Sequence, residues 1–326
     1  MNKSDKHIMQ PCVLDQWTLD ISLETDYIPI LSKWIAQNGY TFNSRIDDLY
    51  QLLNIAKRMI QPKPRKVVHS MQFSCPEGYE IALLELENKI KKGDDLSPFM
   101  TEKLSSDYND LLLNDWGIYH FHLSRRYRDD GLIQRSNYLI FAFVTDTTIY
   151  FIKVYNHNSD QSDNLFSKQE MIQILYDNWP ELIEPYCLDD ATLEYTIDDS
   201  TYQNYRQANI STFVQLKNGK LFSGLGGGYA SNGRSMEVVM YVNQLRKQFY
   251  RFERLIFDKR RAILESINII HDEKEIQFDL KFELVRIIDF DEIILYERNN
   301  RFFCYADIKK RTITMYDYLF NNTKVL

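Results

Sequence analysis

The stretches GIYHFHLS, at residues 117–124, and YLIFAFVTDTTIYFIKVY, at residues 138–155, decide the fold of this chain. The first alternates between two faces, which places His120 and His122 on the same side of a strand. The second contains two runs of aromatic and β-branched residues joined by a short Thr-Asp-Thr turn, a pattern typical of a β-hairpin. Together the two stretches predict an antiparallel sheet at the centre of the chain.

The first third of the chain has a helical pattern instead. Ser44 is predicted to cap one of its helices, and a basic, Pro-containing linker follows that helix at residues 61–66. Apolar residues at helical spacing predict helices over 26–37, 45–60 and 78–92.

Beyond the hairpin, residues 168–176 predict a helix, and Asn218-Gly219 predicts the turn of a compact hairpin. Ser235 can cap one long helix from Met236 to about Ile267, which contains neither Gly nor Pro. The tail at 275–319 alternates again and predicts a small antiparallel sheet.

Helical and β segments that follow each other without βαβ alternation favour an α+β fold. We predict a mainly helical region over 1–105 and a mixed α+β central domain over 106–235, which carries the histidine cluster and a glycine-rich loop. A C-terminal region over 236–326 contains the long helix and the antiparallel β-rich part.

Composition limits the class of protein. The chain has 326 residues, of which 44% are hydrophobic, and its low content of Gly (11) and Pro (8) excludes collagen-like and low-complexity classes. A formal charge of 39 − 46 = −7 excludes a uniformly basic nucleic-acid coat but allows a local basic patch. The four cysteines lie far apart, so we expect free thiols rather than a zinc site or a disulfide framework. Because the sequence contains no signal peptide and no apolar run of about 20 residues, we expect a cytoplasmic protein that does not engage a membrane.

Histidines mark the strongest candidate site. His157 follows the hairpin, so three of the six histidines lie close together in sequence with His120 and His122. Imidazoles exchange protons near neutral pH, and a guanidinium at Arg135 suits a phosphate or a developing oxyanion. We therefore predict catalytic roles for these four residues without a metal or cofactor. A three-nitrogen metal site built from the histidines remains the alternative.

Two loops are predicted to bind substrate. In the basic connection after His122, the side chains of Arg125, Arg126 and Arg128 can contact a nucleic-acid backbone. The second loop concentrates four of the eleven glycines in GLGGG, at residues 224–228, and leads into a helix N-terminus, which favours an anion. We expect this loop to share one cleft with His120, His122 and Arg135. Its candidate substrate-binding residues are Gly226, Gly227, Gly228, Ser231, Arg234 and Ser235.

A basic run occupies the long helix over residues 246–261. Seven Arg and Lys residues stand against two acidic residues there, a local charge of +5, and Phe249, Tyr250 and Phe257 interleave with them. This composition predicts a surface for nucleic acid or for an acidic protein partner.

Three blocks carry a resemblance to known proteins: DWGIYHFHLS (115–124), QRSNYLIFAFV (134–144) and LFSGLGGGYASNGRSMEVVMYVNQL (221–245). They resemble a widespread bacterial protein family of unknown function that occurs in variable genomic regions, and the resemblance covers about residues 64–246. More loosely, a histidine-bearing strand followed by an arginine and a two-strand hairpin is similar to RelE-like and EndoU-like endoribonucleases. That similarity implies roles in RNA cleavage for His120, His122, Arg135 and His157.

The leading functional prediction is a nuclease, most specifically an RNase, in a bacterial antiviral defence or toxin–antitoxin system. His120 or His122 acts as general base, His157 as general acid, and Arg135 stabilises the phosphorane. Two alternatives stay open. One is a non-enzymatic binding or regulatory module for a protein or nucleic-acid partner, and the other is a metal-dependent hydrolase that uses the three histidines.

Overall fold

The computed structural model confirms an α+β fold. It describes residues 18–38, 48–105, 108–157, 162–188, 191–270, 280–299, 301–317 and 323–325. The helices are α1 (Leu23–Gln37), α2 (Leu49–Arg58), α3 (Glu80–Lys92), α4 (Leu111–Trp116), α5 (Glu170–Asn178), α6 (Pro180–Ile183), α7 (Asp199–Gln207) and α8 (Met236–Ile270). Short 3-10 helices occupy Ser97–Phe99, Glu102–Ser105, Ser162–Ser167 and Glu184–Tyr186.

The strands form three sheets. A four-stranded sheet has the order β2-β5-β4-β3, a three-stranded sheet the order β6-β8-β7, and a six-stranded sheet the order β1-β9-β10-β11-β12-β13. The strands are β1 (Leu19–Asp20), β2 (Lys66–His69), β3 (Ile118–His122), β4 (Tyr138–Val144), β5 (Thr148–Asn156), β6 (Cys187–Leu188), β7 (Val214–Gln215), β8 (Leu221–Phe222), β9 (Leu280–Asp289), β10 (Glu292–Glu297), β11 (Phe302–Asp307), β12 (Thr312–Asp317) and β13 (Thr323–Val325).

The chain divides into two compact units. One comprises residues 34–240, and the other combines residues 1–33 with 241–326. These units do not follow the region borders expected near residues 105 and 235. The reason is that β1, near one end of the chain, pairs in parallel with β9, which lies far along the sequence.

The four-stranded sheet contains the hairpin anticipated from the sequence. Strands β3, β4 and β5 pair antiparallel, and β2 adds to β5 in parallel, so the sheet is mixed. The sequence pattern did not predict β2, because Lys66–His69 begins inside the supposed linker and its partner is Thr148–Phe151, about 80 residues away. Helix α2 also begins later than predicted, since Asp48 caps it by accepting a hydrogen bond from the Tyr50 amide. The proposed cap Ser44 lies outside the described residues.

The register of β3 on β4 decides which face carries the histidines. His120 pairs with Phe141 and His122 with Leu139, so both imidazoles lie on the face that Leu139 and Phe141 share. This face belongs to an apolar core cluster of the unit, which continues through α5. On the opposite face, Phe121 packs against Phe151.

The three-stranded sheet contains the expected compact hairpin. Strands β7 and β8 pair antiparallel, and Gly219 between them has a φ of +87°, a conformation that glycine adopts without strain. The Asn-Gly signal therefore predicted this turn correctly.

The unit of residues 1–33 and 241–326 contains most of α8 and the six-stranded sheet. Helix α8 is continuous, as expected, and the Ser235 hydroxyl accepts a hydrogen bond from the Val238 amide at its start. Alternate residues of β9, β10 and β11 are buried, which is the pattern of a sheet with one face in a core. Strands β9 to β13 pair antiparallel, as the sequence of the tail predicts, and β1 adds to this sheet in parallel.

Two further findings concern the whole described chain. No helix in these ranges is both long and apolar enough to cross a bilayer. Cys75, Cys187 and Cys304 are free thiols, whereas Cys12 lies outside the described ranges.

Candidate functional site

The predicted catalytic residues gather at one end of the four-stranded sheet. The ring centroids of His120 and His122 lie 6.0 Å apart on the face set by the β3–β4 register. The ring of Phe166 lies 5.4 Å from that of His120 and 6.2 Å from that of His157, so it contacts both imidazoles. The sheet thus brings the three histidines into one cluster, although His157 comes from the end of β5.

Arg135 joins this cluster through His122. Its guanidinium hydrogen-bonds to Nε2 of His122, and its Nε also donates to Glu102 over 3.4 Å. Glu102 binds Arg128 as well, and these two cations lower the pKa of the Glu102 carboxyl, with the hydrogen bond from Arg128 as the larger cause. A chain of contacts therefore runs from the exposed Glu102 to the buried His122.

His122 is a neutral imidazole in this setting. Burial, followed by the positive charge of Arg135, lowers its pKa to about 3. Because Arg135 donates to Nε2, the lone pair of that nitrogen is already occupied. The other nitrogen, Nδ1, is buried and has no hydrogen-bond partner among the described residues. His122 therefore holds Arg135 in place, and its geometry does not suit a general base.

His120 differs from His122 in its surroundings. Burial is the main cause that lowers its pKa, while Asp110 opposes the shift. His120 also lines a small pocket beside β3, with a cavity volume of about 10 Å³, or room for about one water molecule. At neutral pH this imidazole is thus uncharged and can accept a proton from a group in the pocket.

The pocket beside His120 combines apolar and polar walls. Arg58 is buried there and donates to the carbonyl oxygens of Asn54 and Lys103. Asp110 caps α4 by accepting from the Leu113 amide. The lining residues are Arg58, Met100, Thr101, Leu104, Asp110, Leu113, Tyr119 and His120.

The geometry does not favour the metal alternative. Within the described ranges, no group of three or more His, Cys, Asp or Glu side chains is arranged to hold a metal ion. The three imidazoles belong to those ranges, and they do not form such a group.

The basic loop after β3 is largely neutralised by carboxylates. Arg125 pairs with Glu85 at 3.0 Å, and Arg128 pairs with both Glu102 and Asp130. Arg126 is exposed. Because two of the three arginines already have acidic partners, the loop offers a nucleic-acid backbone less charge than the sequence indicated.

The glycine-rich loop packs against α4 rather than lining the histidine cluster. A Cβ on Gly226 would lie 2.1 Å from the Leu113 carbonyl oxygen, and a Cβ on Gly117 would lie 3.6 Å from the Gly226 nitrogen. From Gly117 to His122 the strand rises five residues, or about 16 Å at 3.3 Å per residue. The contacts of the loop are therefore with α4 and Gly117, and a cleft that it shares with His122 stays a prediction.

The amides of the glycine loop also have internal partners. The Gly226 amide donates to Asp115, the Gly227 amide to Gly224 and the Gly228 amide to Asn114, in each case to a carbonyl oxygen. Backbone N–H groups bind an anion only when they point at it unpaired. The glycines are consequently needed for close packing on α4, which corrects the prediction of an anion loop.

The remaining predicted loop residues form a local network at the start of α8. Lys57 donates to the Gly226 carbonyl and to the Ser235 hydroxyl, and it pairs with Glu237. Arg234 approaches Asp48, with 3.6 Å between nitrogen and oxygen. Ser231 is exposed, and its carbonyl accepts a hydrogen bond from the Asn209 amide group. None of these contacts involves the histidine cluster.

A buried polar cluster escaped the sequence reasoning. Arg206, on α7, forms an ion pair of 2.8 Å with Asp115, and both side chains are almost fully buried. The Tyr202 hydroxyl donates to the same carboxylate and accepts from the Trp116 indole. Burial raises the pKa of Asp115, and Arg206 opposes this shift. In the sequence, only Asp115-Trp116 just before β3 hinted at this buried cluster. The partners of these two residues lie about 90 residues further along the chain, so local spacing could not identify them.

The basic face of α8 is a separate surface in the other unit. Five of its seven basic residues are exposed, namely Arg246, Lys247, Arg251, Arg254 and Arg261, whereas Lys259 and Arg260 are half-buried. Arg246 pairs with Glu24 of α1 at 2.7 Å. The ion pairs resolved on this face do not involve the C-terminal sheet, so the predicted exposure is confirmed for most of the run.

Comparisons with protein-family models, with curated proteins and with solved structures gave no match. The resemblance to the bacterial family and to endoribonucleases consequently rests on the quoted sequence blocks.

Proposed function

We propose that this chain is a metal-independent endoribonuclease whose acid/base chemistry resides in the histidine cluster. The observation that carries the proposal is the convergence of His120, His122, His157 and Arg135 at one end of a sheet face that otherwise belongs to an apolar core. Burying imidazoles costs stability that large apolar side chains would supply there. A chemical role explains why the cost is tolerated.

The roles follow from exposure and hydrogen bonding. His120 lines the pocket and is neutral, so it would take the proton from the ribose 2′-hydroxyl while the 2′-oxygen attacks phosphorus. His157 is exposed and would give a proton to the departing 5′-oxygen as the P–O5′ bond breaks. The products would be a 2′,3′-cyclic phosphate and a 5′-hydroxyl.

Arg135 would stabilise the charge of the transition state, and His122 would hold Arg135 in position. The Arg135 guanidinium would face the negative charge that develops on the phosphorane. His122 accepts from Arg135 and thereby fixes its orientation, which makes His122 a positioning residue. This assignment places the general base at His120, one of the two histidines that the sequence left open for that role.

The test is cleavage of fluorescently labelled RNA in buffer with and without chelator. We expect wild-type cleavage in EDTA, and a loss of about 10²- to 10⁴-fold in His120→Ala and His157→Ala. His69→Ala is the matched control, because His69 stacks on Phe151 at the opposite face. Products with a 2′,3′-cyclic phosphate support the proposal. Wild-type activity in His120→Ala, or loss of activity in EDTA, contradicts it.

A toxin or defence role extends this proposal to the cell and draws on the sequence resemblance. Expression of an active RNase would arrest bacterial growth, and His120→Ala would relieve the arrest while accumulating to the same level. Equal arrest by both proteins would contradict a role for cleavage in toxicity.

A binding or regulatory module is the second candidate. The observation that favours it is the engagement of Glu102 with Arg135 and Arg128, because these cations are then partly committed within the protein. A module of this kind would bind RNA or a protein with equal affinity in the wild type and in His120→Ala, and neither would cleave RNA.

A further inference from the structure

The exposed face of α8 carries a continuous stripe of basic and aromatic side chains. We call Lys247, Tyr250, Arg251, Arg254 and Arg261 the basic stripe. The four cations follow one another at intervals of four, three and seven residues, and Tyr250 comes three residues after Lys247, so all five lie on one side of the helix. The side chain of Arg261 is 84% exposed, and Tyr250 is 60% exposed. From Lys247 to Arg261 the helix rises by 14 steps, or about 21 Å along its axis.

The opposite side of α8 is buried in the protein. Val242, Leu245, Phe249, Phe252 and Ile256 are all buried in the core of their own unit. The stripe therefore offers charge and one aromatic ring, without the apolar face that an amphipathic helix needs to enter a membrane surface.

The cations of the stripe are available for an anionic ligand. Within the described part of the chain, neither Lys247 nor Arg251 has a carboxylate within ion-pair distance. Arg254 pairs with Asp258 one turn along, and this pair is exposed on both sides. Solvent-exposed pairs of this kind are weak and exchange readily for a stronger anion.

We propose that the basic stripe binds single-stranded nucleic acid. Phosphates would meet Lys247, Arg251 and Arg254, while Tyr250 would stack on a base. An acidic protein partner would use the cations but gain little from an exposed tyrosine between them. The chain as a whole carries a charge of −7, so attraction for a polyanion requires a local basic surface such as this stripe. The inference is independent of the histidine chemistry, because the stripe lies in the other unit.

Binding is measured by fluorescence anisotropy with labelled 12-nucleotide RNA and DNA between 25 and 200 mM salt. The full-length His120→Ala protein is used, so that cleavage does not interfere. Three phosphate contacts contribute about −2 to the slope of log affinity against log salt. Lys247→Ala/Arg251→Ala/Arg254→Ala should therefore reduce the slope by about 2 and weaken binding by at least about tenfold at low salt.

The matched control removes the same charge elsewhere. Lys89, Lys91 and Lys92 lie in the last turn of α3, and their triple alanine variant should bind like the parent protein. Tyr250→Ala should weaken binding by about five- to tenfold, whereas Tyr250→Phe should retain it, because stacking needs the ring alone.

Three outcomes would overturn the proposal. One is the absence of binding at 25 mM salt, and another is an equal loss in the α3 control. The third is tighter binding to vesicles of anionic phospholipid, or to an Asp/Glu-rich peptide, than to either nucleic acid. Circular dichroism of each variant checks that α8 remains folded.

Discussion

Replacing His122 by Gln should weaken the dependence of stability on pH. The pKa of His122 is about 3 in the folded protein, chiefly because of burial, and about 6.5 in an unfolded chain. Between these values the unfolded chain binds a proton that the folded protein excludes. This contribution to stability is therefore complete above pH 6.5 and is lost as the pH falls towards 3.

The magnitude follows from the two pKa values. At pH 5.5 the proton taken up by the unfolded chain costs about 1.4 kcal/mol, and at pH 4.5 it costs about 2.7 kcal/mol. Glutamine keeps an oxygen that can accept from Arg135 but does not titrate. When the pH is lowered from 7.5 to 4.5, the free energy of unfolding should therefore decrease less in His122→Gln than in wild type. The difference between the two decreases should be about 2 to 3 kcal/mol.

Urea denaturation followed by tryptophan fluorescence provides the assay, because Trp116 and Trp179 are buried in this unit. Arg135→Gln is an informative companion, since it removes the second cause of the pKa shift and leaves the imidazole buried. Its pH dependence should lie between those of wild type and His122→Gln. Parallel curves for wild type and His122→Gln, within about 0.5 kcal/mol, would refute the assignment of a buried neutral imidazole.

Two further variants test the surroundings of the site by the same denaturation at pH 7.5. Gly226→Ala should lower the free energy of unfolding by about 3 kcal/mol, since its Cβ would overlap the α4 backbone, whereas Gly131→Ala, with open space around it and a φ of +82°, should cost about 1 kcal/mol. Equal costs would mean that the loop moves freely off α4. Arg206→Met should cost about 3 to 5 kcal/mol by leaving the Asp115 carboxylate buried and unpaired, and adding Asp115→Asn should recover part of it. A double variant no more stable than Arg206→Met would argue against that electrostatic cause.

The candidate site was only partly predictable. Alternation in β3 placed His120 and His122 on one face, and the hairpin placed His157 near its end, because strand periodicity is local. The pairing of Arg135 with His122 depends on the conformation of the connection between β3 and β4. Sequence spacing could not distinguish the two histidines. The imidazole of His122 is buried and hydrogen-bonded to Arg135, whereas that of His120 lines the pocket.

The glycine loop shows how composition can suggest the wrong cause. A run of glycines indicates that the backbone closely approaches a neighbouring group, but it does not show whether that group is a ligand or another part of the protein. In this protein the neighbour is the backbone of α4 and the amides have internal acceptors, so the space that glycine leaves is filled by the protein itself.

The sequence by itself determined the α+β class, the β4–β5 hairpin, the long helix α8 and the exposure of most of its basic residues. Each depends on the period of apolar residues or on a turn or cap within a few positions. Only the tertiary structure decided the parallel pairing of β2 with β5, the packing of Gly226 on α4 and the ion pair of Arg206 with Asp115. These contacts join segments about 80 to 110 residues apart, and their energies depend on burial and on partners that no local pattern encodes.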